Sequence, residues 1–194
     1  MTMPLHRHAG KNLRFARRVA QDNCCFYLGR RLVLRIASAE RERIVVERQW
    51  LSIETRYAHK PDRVRTLVRH WMRERACDVL PKRFAAVAPI AAQLGLSPLQ
   101  LTVRAMKRQW ATHSPCGRRI ALNVMLIEVP QPCVDYVIAN EMCRISATGP
   151  CEQYFVLLSK HVPNWQRQRD VLAGFGRSAS LFGATGGGNN LLRC

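Results

Sequence analysis

Eight cysteines and six histidines, with a scatter of carboxylates, are the groups in this 194-residue chain that could hold a metal or act as nucleophiles. Thiolate and neutral imidazole are the side chains zinc prefers. The cysteines stand at 24, 25, 77, 116, 133, 143, 151 and 194, with no Cys-x-x-Cys pair among them. The interval from Cys143 to Cys151 fits no standard zinc module. Adjacent Cys24 and Cys25 are badly placed to bridge each other, so reduced, incidental thiols are expected. His59 and His70 read as surface or helix-packing residues, and His6 and His8 sit in a basic arm. Ser114, His113 and Asp135 are present, but nothing like Gly-x-Ser-x-Gly accompanies them. The glycine-rich run at 183–190 lacks the Lys-Ser/Thr of a phosphate loop and has no helix after it.

Charge narrows the partners. Lys and Arg number 31 against 13 Asp and Glu, a formal net charge of +18. Such a balance favours anionic surfaces and nucleic acid without specifying a fold. Arg14, Arg17 and Arg18 are the candidate nucleic-acid contacts. The aromatic residues do not interleave with the basic runs as they do in RNA-binding modules, and the plainer reading is a solvated basic surface. No run approaches the roughly 20 apolar residues of a membrane helix, and the basic N-terminus has no apolar core for an export signal. A cytoplasmic protein without membrane partners is expected.

The elements that must position any site follow from periodicity. Residues 1–24 read as a basic flexible arm, 25–173 as one domain, and 174–194 as a Gly-rich flexible tail. Leu32, Leu34 and Ile36 alternate with Arg31, Val33 and Arg35. Ile44 and Val46, then Leu51 and Ile53, continue a period of two, which suggests a β-meander. Beyond Pro61 the period becomes 3.6. Val64, Leu67, Val68, Trp71, Met72, Val79 and Leu80 form a stripe, so a long helix starts near Asp62, with Arg65, Arg69 and Arg73 on its solvated face. Pro81 and Pro89 punctuate a second helical stretch ending near Leu94-Gly95. A strand at Leu101–Ala105 follows, then a hairpin turning at Ser114–Gly117. Helices are expected at Cys133–Ser146, Glu152–His161 and Trp165–Leu172. The fold class is α+β.

Elements in this order carry a resemblance. The runs YLGRRLVLRI, WMRERACDVLP, MKRQWATHSPCG and IALNVMLIEVPQPCVDYVIANEMCR look like the YgjP-like metal-dependent hydrolases, a family grouped with the SprT-like zinc metallopeptidases. The similarity spans roughly residues 26–172 and implies a zincin-like helical half after the hairpin. It also implies zinc, bound by histidines of a His-Glu-x-x-His helix and of a following Asn-His-Ser, with the motif glutamate as general base.

At the matching positions this chain departs from the pattern. It reads Asn140-Glu141-Met142-Cys143-Arg144, then Gly149-Pro150-Cys151, with Tyr154-Phe155 kept as the aromatic pair. The implied ligand positions thus hold Asn140, Arg144 and Pro150, and only Glu141 remains as the catalytic candidate. An amide oxygen is a weak ligand, a guanidinium repels a cation, and proline offers no donor. No cofactor is therefore expected here, although zinc belongs to the family. On a helix, positions 140 and 144 share a face off the core stripe of Val134, Val137, Ile138 and Ile145, while Cys143 points opposite that stripe. Glu141 would pair with Arg144. The function implied is a metallopeptidase-like domain that has lost zinc and activity. The alternatives are a basic nucleic-acid-binding module and an active hydrolase with a site rebuilt from Cys143, Cys151, His161, His113 or Cys116.

Overall fold

The computed structural model describes residues 24–177, apart from Ser97, Thr148 and Pro150. The arm at 1–23, with Arg14, Arg17 and Arg18, and the tail beyond Arg177 lie outside the described residues. The chain divides into two compact units.

The first unit comprises Cys24–Phe26 and Arg30–Trp71 of the described chain. Its strands are β1 (Cys24–Tyr27), β2 (Arg30–Ala37), β3 (Arg43–Glu47) and β4 (Trp50–Glu54). They are ordered β1-β2-β4-β3. This corrects the meander. A meander would place β3 beside β2, whereas β2 pairs with β4 in parallel, Leu34 opposite Leu51 and Ile36 opposite Ile53. The reason is burial: Leu51 and Ile53 are almost wholly enclosed, while β3 has no buried position. The more apolar strand takes the centre and β3 becomes the edge, joined to β4 as an antiparallel hairpin. Strand alternation tells which residues face inward; it is silent on which strand lies next to which.

Helix α1 runs from Pro61 to Gln93 without a break, where two helical stretches were expected. Pro81 and Pro89 both fall inside it. A mid-helix proline removes one hydrogen bond and costs about 3 kcal/mol. Both prolines occupy exposed positions, where water can satisfy the carbonyls they leave unpaired. Val64, Val68, Met72, Ala76 and Leu80 are buried at intervals of four, and Val87 and Ala91 are buried beyond Pro81, so apolar burial holds the helix on both sides of that proline.

The second unit holds Tyr27–Gly29 and the chain from Met72 onward. A three-stranded sheet, ordered β5-β7-β6, comprises β5 (Gln100–Arg104), β6 (Ala111–His113) and β7 (Arg119–Asn123). The expected hairpin is β6–β7, antiparallel, with His113 opposite Ile120. Gly117, at φ +67°, closes its turn by donating its N–H to the Ser114 carbonyl at 2.8 Å. A 3-10 turn at Val124–Ile127 leads to α2 (Gln131–Ser146), and α3 (Cys151–His161) and α4 (Trp165–Arg177) complete the unit. Helix α4 extends to Arg177, past the point at which the tail was expected to begin.

Pro130 and Pro132 start α2, where an absent N–H costs nothing. This helix packs against α3, α4, β6 and β7. Every residue from Cys133 to Cys143 except Asp135 is buried, which is how a helix enclosed on all sides behaves. Asp135 is anchored through Arg83 of α1, whose Nε donates to its carboxylate at 2.8 Å and whose Nη2 completes a two-pronged ion pair.

Candidate functional site

Glu141 lies near the middle of the enclosed helix, its side chain only 7% exposed. A carboxylate so placed must be compensated by hydrogen bonds or a charge partner. His113, at the end of β6, supplies both: its Nδ1 stands 2.8 Å from Glu141 Oε2. The other carboxylate oxygen accepts from Asn140 Nδ2 at 3.2 Å. Asn140, itself wholly buried, accepts in turn from the Tyr154 hydroxyl of α3. The result is a continuous hydrogen-bonded chain, His113–Glu141–Asn140–Tyr154, tying the hairpin to α2 and α3.

Arg144, one helical turn beyond Asn140, holds its guanidinium 5.0 Å from the centre of the Tyr154 ring, in cation–π range. Tyr154 meets Phe155 edge-on at 4.9 Å, and Phe155 stacks on Trp165 of α4 at 5.6 Å. The aromatic pair thus links α3 to Trp165 of α4. One turn before Asn140, the buried Tyr136 hydroxyl has no hydrogen-bond partner among the described residues. Burial raises the pKa of both Tyr136 and Tyr154, so both hydroxyls remain protonated.

The His113 imidazole is held above its ordinary 6.5, chiefly by its hydrogen bond to Glu141. Burial opposes this; the Glu141 charge adds to it, and Arg144 opposes it. A pKa raised on folding contributes stability that is complete below the unfolded value and disappears as pH climbs through the folded value. Stability measured by urea denaturation is therefore expected to fall as pH rises from below about 6.5 into the alkaline range. In His113→Gln that decline should vanish; an unchanged pH profile in the variant would show that the pair contributes nothing.

Two sequence expectations, the facing of Asn140 and Cys143 and the partner of Glu141, are corrected by these contacts. Asn140 and Cys143 were placed away from the core, yet both are fully buried, because α2 is covered by a sheet on one side and by helices on another. Burial pushes the Cys143 thiol up to about 11, and Cys133 likewise. Glu141 was matched with Arg144; its carboxylate is instead met by His113 and Asn140. Ser114, His113 and Asp135 do not assemble, since His113 engages Glu141 and Asp135 engages Arg83. Cys116 is exposed on the hairpin turn beside Ser114. Among the described residues, no three His, Cys, Asp or Glu side chains converge as a metal site would need. Pro150 lies outside the described residues.

Reading the sequence did not find the pairing of His113 with Glu141, nor Asn140 as its second partner. It also missed Asn123, a buried side chain that caps the 3-10 turn through Met125 N–H. The same side chain binds the carbonyls of Met106 and Gln109 at 3.0 and 2.7 Å, fixing the loop before β6. The alternation of Ile120 and Leu122 on that strand was visible; the loop it would grip was not.

Comparison with known proteins then places the whole assembly. The family described as YgjP-like, metallopeptidase domain matches residues 4–175. The chain belongs to that family. Among solved structures, the YgjP-like chain is similar to the metallopeptidase zymogen of Methanocaldococcus jannaschii jannalysin, with 13% identity and a TM-score of 0.42. That likeness covers 50% of this chain and 95% of the other. No curated protein matches. In this YgjP-like domain no described helix is long and apolar enough to cross a membrane.

Proposed function

We propose that this YgjP-like domain is a metallopeptidase scaffold that no longer binds zinc or hydrolyses peptides. The observation that carries the reading is the use made of Asn140. Its oxygen accepts from Tyr154 and its nitrogen donates to Glu141, so its one candidate ligand atom already has a partner. Glu141 is likewise occupied, its second oxygen on His113. A general base takes a proton from a water held against its carboxylate; here each oxygen of Glu141 is already held by a protein partner, His113 on one and Asn140 on the other.

Arg144 supports the same conclusion through charge. A guanidinium stays protonated at any relevant pH and repels a divalent cation placed near it. Resemblance assigns both Asn140 and Arg144 to ligand positions, and neither side chain offers a catalytic zinc ion the imidazole, thiolate or carboxylate it takes. The residues present do not fit the metal of the family.

Elemental analysis of the purified full chain, dialysed against zinc and then against metal-free buffer, tests the reading. The expected result is no stoichiometric zinc and no peptidase activity. The triple substitution N140H, R144H and P150H is expected to gain zinc affinity on the same backbone. One zinc per unmodified chain, removed by a chelator together with peptidase activity, would overturn the proposal.

A further inference from the structure

On the face of β5-β7-β6 that carries Ala121, the strand register sets out a trough. Ala121 is directly opposite Thr102 on one side and Thr112 on the other. A small residue between two threonines leaves a floor lined by hydroxyls. Arg119 precedes Ala121 by two positions on the central strand, and Arg104 follows Thr102 by two on β5. Residues two apart on a strand point to the same face, so an arginine stands toward each end of the trough. With Ser114 these side chains enclose a cleft of about 290 Å³. His113 forms part of its wall, which sets the cleft beside the Glu141 chain.

The lining is cationic and uncompensated. No acidic side chain borders the cleft. Among the described residues no carboxylate pairs with Arg104; the Arg119 guanidinium donates to the neutral Gln100 amide oxygen, at 3.0 and 3.4 Å, and the Arg119 backbone N–H donates to Ser114 Oγ at 3.1 Å. Guanidinium groups with adjacent hydroxyl donors match the oxygens of a phosphoryl group, which takes several charge-assisted hydrogen bonds at once. The volume accommodates one such group with a small substituent.

We propose that this cleft is a binding site for a phosphomonoester, gripped by Arg104 and Arg119 and seated on Thr102, Thr112 and Ser114. The proposal is independent of whether zinc is bound. A chain of net charge +18 attracts any anion, so the test must separate a built site from general attraction. Titration calorimetry of the full chain with phosphoserine at low ionic strength is expected to show one saturable site. Arg104→Gln and Arg119→Gln should each weaken it by about tenfold or more, the loss of one charge-assisted pair. Arg43→Gln, an equal loss of charge on β3 of the first unit, should leave it unchanged, and circular dichroism should show all three variants folded. Succinate should bind more weakly than phosphoserine, having carboxylates in place of a compact phosphoryl group. Absence of saturable binding, equal weakening by all three substitutions, or succinate binding as tightly as phosphoserine would each overturn the proposal.

Discussion

Asn140→Ala is expected to destabilise the protein by about 2–4 kcal/mol, because it strands two buried polar groups at once. The Tyr154 hydroxyl loses its acceptor, and Glu141 Oε1 loses the amide that meets it. Water cannot easily replace them, since Asn140 is fully enclosed and Tyr154 only 5% exposed. A surface asparagine truncated in the same way would cost within about 0.5 kcal/mol. Tyr154→Phe removes one hydroxyl, which donates to Asn140 and is also hydrogen-bonded by Arg144, and should cost about 1–2 kcal/mol. The two changes share one hydrogen bond, so the double variant should cost less than their sum. Urea denaturation with an unchanged slope reads all three values. A cost below about 1 kcal/mol for Asn140→Ala would mean that the amide is not locked in the chain. The main support for the inactive-scaffold reading would then be gone.

The second large effect is expected at Gly29, whose backbone is held at φ +79°. An added Cβ there would stand 2.6 Å from Pro130 Cγ and 2.9 Å from Pro130 Cα. The latter atom belongs to the backbone that starts α2, so it cannot rotate aside. Leu28 and Gly29 also donate their N–H groups to the carbonyls of Ile127 and Glu128, at 2.7 and 3.0 Å. The close approach is therefore fixed from both sides. Gly29→Ala combines left-handed strain with a backbone clash and is expected to cost more than about 3 kcal/mol. Gly95 offers the internal control: its φ is +66°, yet an added Cβ meets nothing within 4 Å. Gly95→Ala should cost only the conformational part, about 1–2 kcal/mol. Equal melting shifts for the two variants would show that Pro130 yields. A disturbed Gly29 should also reach the site, because Pro130 begins the helix that carries Asn140, Glu141 and Arg144.

Much of the scaffold is legible in one sequence because it is written in local periods. Alternation at Ile120 and Leu122 gives a strand, Ser114–Gly117 gives its turn, and Val64, Val68 and Met72 give a helix. Local signals mislead where burial overrides them. Pro81 suggests a break, but the helix runs through it with buried apolar residues on both sides. β3 suggests a meander, but the more apolar β4 takes the middle of the sheet. The stripe through Val134, Val137 and Ile138 suggests one covered face on α2, whereas the helix is covered nearly all round.

The residues of the site divide along the same line. Order and spacing along the chain determined the basic character, the α+β class, the family resemblance and the placing of Asn140, Glu141 and Arg144 on one helix. Local spacing fixes such features because a helix or strand repeats within a few residues. Only the tertiary structure decided that Glu141 meets His113, 28 positions earlier in the chain. It also decided that Tyr154, 14 positions beyond Asn140, completes the amide's bonding. A helical period says in which direction a side chain points, but the group waiting there is set by how separate elements pack.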